Sequence, residues 1–183
     1  MKSVLISIRP KWCELIASGK KTIEVRKTYP TLPPPFKCYI YCTQDKRLSF
    51  WRSKTYAYAD DRSHNMFDIR GNGKVIGEFV CDLIGLHPGT DVPSSCVPIE
   101  ELKKYANGKM LARWHISDVK IYDKPKELGS FWKSGKCPYA AESGCTYEYH
   151  CFRAGQTQRC GETLTRPPQS WCYVEDNETE ERR

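Results

Sequence analysis

Long apolar runs are missing from this sequence. No segment approaches the ~20 consecutive apolar residues of a helical membrane span, and residues 1–18 lack the apolar core of a secretory signal. Internal repeats are absent too, which excludes a solenoid or propeller, and no low-complexity tract occurs outside the last nine residues. The cysteines form no C-x-x-C knuckle. The four histidines, His64, His87, His115 and His150, form neither an H-x-x-x-H pair nor a triad-like set, and surface or strand positions are expected for the first three. A membrane protein is excluded on these grounds. With 39% hydrophobic residues the chain carries enough apolar material for one core, so a fully disordered polymer is excluded as well.

What is present is a basic chain of 183 residues with 29 Lys+Arg against 22 Asp+Glu, the size of one domain with insertions. Residues 175–183 hold five of the acidic residues and two of the basic ones. The remaining body therefore carries 27 basic and 17 acidic residues, a net charge of +10. Such a balance favours polyanionic partners. The plainer reading is a merely soluble surface.

Residues 3–9 are a β-branched run suited to a buried strand. Pro10 suits the first turn of a helix, Trp12, Leu15 and Ile16 follow at helical spacing, and Gly19 suits its end. A helix over residues 10–18 is expected, with Trp12 in the core. Residues 22–26 alternate as a strand, with Thr22, Glu24 and Arg26 sharing one face. Four prolines in residues 29–35 require a loop. Further strands are expected over 36–43, over 74–85 (bent near Gly77), over 112–122 (stopped by Pro125) and over 170–175. A second short helix is expected over 98–106. Residues 47–73 read as a surface insertion, 134–166 as an irregular Cys-rich insertion, and 175–183 as a disordered acidic tail. The pattern is α+β, mainly β: a small β-barrel with short helices, occupying residues 1–174.

Residues 19–26, Gly-Lys-Lys-Thr-Ile-Glu-Val-Arg, have the form G-x-K-x-x-E-x-R. At average residue frequencies this pattern arises by chance in roughly one chain of this length in 400. Glu24 and Arg26 emerge on the same strand face, Lys21 sits at the helix–strand junction, and Gly19 permits a sharp reversal and close ligand approach. Two cations beside a carboxylate can hold a phosphate or a base edge: Arg26 as a planar fork, Lys21 as a point charge, Glu24 as an acceptor for exocyclic amino groups. The alternative is an ion-pair cluster on an exposed strand, worth little. Trp51, among Arg47, Arg52 and Lys54, is the aromatic best placed to stack on a base; core packing is the alternative for any one aromatic here.

The same eight residues resemble the hallmark of the ASCH domain, a branch of the PUA-like β-barrels. The lead-in from Arg9 to Ser18, residues 114–125 and residues 166–174 are similar to that family's first helix and later strands, in the versions found in bacteria and their prophages. The resemblance implies a cleft beside the first helix that binds RNA or a modified nucleotide, with Gly19, Lys20, Lys21, Glu24, Arg26 and Trp51 as nucleic-acid-binding residues. It also implies a reducing, cytoplasmic setting. One similar branch is enzymatic and hydrolyses N-acylated cytidines with a lysine, a threonine and a glutamate. Lys21 matches the lysine, Glu24 occupies the threonine's place, and the glutamate is Glu100 or Glu101. In that alternative Lys21 activates and Glu24 acts as a general base on water.

Of ten cysteines, Cys13, Cys38, Cys42, Cys81 and Cys172 fall in helix or strand segments and read as small core residues. Cys137, Cys145, Cys151 and Cys160 gather in the irregular segment. A structural zinc on these four is preferred over disulfides or free thiols. No cofactor is required for the cleft itself, and the oligomeric state is not readable.

Overall fold

The structure, a computed structural model, describes residues 2–45, 51–53, 68–89, 92–134 and 163–175. Strand β1 (Lys2–Ile8) leads into helix α1 (Pro10–Ala17), strand β2 (Ile23–Arg26) and strand β3 (Phe36–Cys42). Strands β4 (Trp51–Ser53), β5 (Asp68–Arg70), β6 (Val75–Cys81) and β7 (Ile84–His87) follow. Helix α2 (Ile99–Ala106), strands β8 (Leu111–His115) and β9 (Ser117–Lys126), and β10 (Trp171–Glu175) complete the order. The expected class, α+β and mainly β, is what forms.

Five strands make one sheet in the order β10-β1-β3-β6-β9, and β2-β8-β7 make a second. Among the described residues the sheets wrap around one core without closing into a continuous barrel. β1 and β3 run parallel, with Ile8 opposite Cys42, so the chain must cross over between them, and α1 and β2 form that crossover.

The middle of the large sheet is buried on both faces, which its near-continuous apolar strands reflect. On one face Val4, Ile6, Ile8, Cys38, Ile40 and Cys42 meet Cys13 and Ile16 of α1 and Trp114 of β8. On the other, Leu5, Tyr39, Tyr41 and Val174 pack with Phe131 and Leu164. Pro10 stands at the start of α1, and Gly19 follows its end at φ +73°, so the expected first helix forms as read.

Two expected strands are each divided. The run 74–85 breaks after Cys81: β6 stays in the large sheet while β7 pairs with β8 in the small one. The run 112–122 breaks at Ile116, between β8 and β9. The two corners lie together, His115 N–H donating to Leu83 O at 2.9 Å and His115 Nδ1 lying 2.6 Å from Asp82 Oδ1. Pro125 does not stop β9, which continues to Lys126. β9 is an edge strand, where a proline whose N–H would face away from the sheet forfeits no ladder bond.

Short pairings occur within the insertions. Within 47–73, β4 and β5 pair antiparallel, Trp51 opposite Arg70. Within 134–166, Thr163 bridges to Trp132, and Leu164 is buried in the core. Glu175 ends β10, as the strand expected over 170–175 requires. Residues 135–162 and 176–183 lie outside the described residues. No helix among those described is long and apolar enough to cross a membrane.

Candidate functional site

A cleft of about 790 Å³ opens beyond the carboxyl ends of β1 and β3. Arg9 and Trp12 line it from the start of α1, Lys21, Glu24 and Arg26 from β2 and its approach, and Thr43 and Gln44 from beyond β3. Glu101 and Tyr105 line it from α2, and Pro167, Pro168 and Gln169 from the segment before β10. Its position follows from the crossover, which returns β2 beside the end of β1.

The charged centre is a buried triad. Lys21 Nζ lies 3.2 Å from Glu24 Oε2 and Arg26 Nε lies 3.0 Å from Glu24 Oε1. Lys21 is 1% exposed and Glu24 6%, so this is no surface cluster. The Lys21 ammonium also donates to Ile23 O at 2.8 Å and to Ser95 O at 2.6 Å. With Glu24 these account for all three of its N–H groups. Lys21 is therefore a fixed cation that ties β2 to the turn before α2, not the open point charge expected from sequence. Two further bonds reinforce that tie: Thr22 N–H to Ser94 O at 3.0 Å and Cys96 Sγ to Lys20 O at 3.3 Å.

Arg26 Nη2 donates to Ser7 O at 2.5 Å. Its Nε is buried, and although it is ion-paired with Glu24 its N–H is not aligned for a hydrogen bond. Each Glu24 oxygen thus has a cation beside it, and the carboxylate is held at the cleft wall in one orientation. Beneath it, burial pushes the Cys13 thiol well above its usual range, with the neighbouring Cys42 thiol and Glu24 carboxylate adding to the effect.

The motif contributes three of its expected residues to the cleft: Lys21, Glu24 and Arg26. Lys20 is exposed and, like Gly19, is not part of the lining. Gly19 serves the backbone reversal alone, since a side chain there would meet open space but at φ +73°. Trp51 stands in β4, and its side chain lies outside the described residues. Trp12 corrects the core assignment: it is partly buried against the core and lines the cleft. Glu101 lines the cleft while Glu100 pairs with Lys103 at 3.2 Å, on exposed surface. Gln44, Tyr105 and Gln169 carry no signal in the sequence, and Arg9 is marked only as the start of the segment that resembles the family's first helix. Cys137, Cys145, Cys151 and Cys160 lie outside the described residues, among which no group of three His, Cys, Asp or Glu side chains could hold a metal.

The crossover sheet and the ion-paired cleft set on the first helix and second strand define a mainly β domain with a charged cleft. The ASCH domain family model matches residues 6–154, and the chain belongs to that family. No curated protein matches it. Among solved structures, the ASCH protein from Zymomonas mobilis is similar at a TM-score of 0.55 and 16% identity, covering 97% of this chain and 90% of that one. A tyrosine-to-phenylalanine mutant of the Zymomonas mobilis protein gives a TM-score of 0.56 at 16% identity, covering 99% and 96%. A serine-to-alanine mutant gives 0.55 at 16% identity, covering 98% and 92%. At such identity the likeness is one of fold.

Proposed function

We propose that the chain binds RNA or a nucleotide by taking one unstacked base into the cleft against Lys21, Glu24 and Arg26. The observation that carries this reading is the Glu24 carboxylate, held by a cation on each oxygen at the wall of the cleft. A carboxylate so fixed accepts from exocyclic amino groups and ring N–H groups with little reorganisation. Guanine, cytosine and adenine offer an amino group; uracil offers only one ring N–H, flanked by carbonyl oxygens that a carboxylate repels. Trp12 and Tyr105 supply aromatic surface on two walls, and stacking on such rings contributes about 1–3 kcal/mol per base.

The test is titration of the protein with nucleosides and short RNAs, followed by calorimetry. Amino-bearing bases are expected to bind more tightly than uridine, and Glu24→Gln to weaken them by roughly tenfold or more, the size of one base contact. Equal affinity for all four bases in the parent, unchanged in Glu24→Gln, defeats the reading.

One observation favours hydrolysis of N-acylated cytidines as a second reading: Glu101 brings a second carboxylate into the same cleft from α2. Against it, the Lys21 donors are engaged, and position 24 carries no hydroxyl nucleophile. Release of acetate from N4-acetylcytidine, lost in Glu101→Gln, would establish it; no turnover leaves the binding reading. A structural zinc on Cys137, Cys145, Cys151 and Cys160 is proposed on sequence alone, with one zinc per chain expected by elemental analysis.

A further inference from the structure

The wall of the cleft that α2 provides is fastened to the motif through one short turn, Pro93–Ser95, which precedes the helix. Three successive residues there meet three successive residues on the approach to β2. Ser94 O accepts Thr22 N–H at 3.0 Å, Ser95 O accepts from Lys21 Nζ at 2.6 Å, and Cys96 Sγ donates to Lys20 O at 3.3 Å. Ser95 is fully buried and stands behind the cleft, outside its lining. Its hydroxyl donates to Val92 O at 2.7 Å and accepts Val97 N–H at 3.2 Å. Those two bonds bracket Cys96, whose φ of +56° is a left-handed conformation that only glycine adopts freely. The hydroxyl therefore braces the strained residue and fixes the direction in which the chain leaves the turn. Val97, Glu101 and Tyr105, which follow, all line the cleft.

Resting on the binding reading above, we propose that Ser95 is a positioning residue of this site, one that sets how the α2 wall stands against Glu24. It acts at two places from one buried hydroxyl. On the β2 side, the braced turn presents Ser95 O to the Lys21 ammonium, and Lys21 in turn holds Glu24 Oε2 at 3.2 Å. On the α2 side, it seats the segment that carries Glu101 and Tyr105 into the cleft. A base that bonds to Glu24 and lies against Tyr105 touches both walls, so a shift between them forfeits one of the two contacts. Removing the hydroxyl leaves Val97 N–H without its acceptor and Cys96 without its brace, and the turn relaxes.

The probes are cytidine and uridine, titrated by calorimetry into the parent and its variants. Ser95→Ala is expected to lower the preference for cytidine by about fivefold, the size of one neutral hydrogen bond. Ser95→Cys, whose thiol is a weak donor and acceptor, is expected to lower it by about threefold, and it decides the matter if Ser95→Ala does not fold. Ser94→Ala keeps the carbonyl that Thr22 uses and is expected to match the parent. Gly77→Ala loosens β6 against β9, outside the cleft lining, and should leave the preference within about twofold although it destabilises the fold. A second readout needs no ligand: amide exchange at Thr22 is expected to quicken about tenfold in the Ser95 variants relative to Ile40 in the middle of the large sheet. A parent preference for cytidine that the Ser95 variants keep within about twofold overturns this inference and leaves the base-binding reading standing. So does Thr22 exchange that moves only in step with Ile40. A parent that binds neither nucleoside, or binds both equally, removes both.

Discussion

Lys21 has its ammonium in the core of the protein with a carboxylate and two backbone carbonyls around it. Removing one member of such a buried set leaves the others unpaired, at a cost of about 3–5 kcal/mol. Lys21→Met should lower the unfolding free energy by that amount in urea titration, while Lys20→Met, on exposed surface, should change it by under about 0.5 kcal/mol. Spacing made the residue types of this site legible, since Glu24 and Arg26 two apart on a strand must share a face. The inward direction of Lys21 was not legible, because Ile23 O and Ser95 O are main-chain acceptors that leave no mark on a sequence. His87 carries a second residue-scale expectation. Burial, and then the charge of Arg113, hold its pKa below the ordinary 6.5. Just below that pH the unfolded chain binds more protons than the folded one. The His87 contribution to stability is therefore complete above 6.5 and is lost as pH falls toward the folded value. Urea midpoints measured from about pH 7.5 down to about pH 5.5 should fall less steeply in His87→Gln than in the parent.

At the scale of elements, the close approach of β9 to β6 depends on Gly77. A Cβ there would sit 2.4 Å from Lys120 O and 3.0 Å from the Ile121 Cα. Both are backbone atoms, so the strands would have to separate. Gly77→Ala is expected to cost about 1–3 kcal/mol, the usual range for overpacking, read as a lowered melting temperature. Gly129→Ala, where a Cβ meets nothing within 4 Å, is the control and should change it little. The strand–helix–strand opening could be read because its signals are local: a β-branched run, Pro10 at the helix start, Gly19 past its end. The corners at Asp82 and Ile116 could not. The apolar pattern runs through both, and only the change of pairing partner, a tertiary choice, divides each run into two strands. Pro125 misled for the same reason, since its cost depends on whether a neighbouring strand needs its N–H.

Across the whole molecule, the middle of the large sheet is covered on both faces, and the thiols in and beside it are inert. Cys13 and Cys38 are pushed well above the ordinary thiol range, and Cys81 up to about 12, chiefly by burial. Cys172 rises to about 11. Since the thiolate is the reactive form, brief N-ethylmaleimide treatment of the native protein should spare these four in a peptide map. Cys96, half-buried at a turn, should be modified first among the cysteines described. Phe131 covers the second face at 1% exposure, edge-on to Tyr39 at 4.9 Å. Phe131→Ala should cost about 3–5 kcal/mol. The burial of Cys13, Cys38, Cys42 and Cys81 was legible from their strand and helix positions. The burial of Leu164 was not, because one leucine at the end of an irregular stretch has no periodicity to announce it.

Strand β1 takes its two neighbours from opposite ends of the chain: Val4 stands against Cys38 on one side and against Tyr173 on the other. Pro167, Pro168 and Gln169, which line the cleft, come just before that late strand. During synthesis the motif of residues 19–26 therefore leaves the ribosome long before the wall that encloses it. Until β10 has emerged, β1 offers an open apolar edge of the kind that pairs with other chains. The cleft forms late, and the nascent chain passes through a period in which chaperone capture competes with sheet closure.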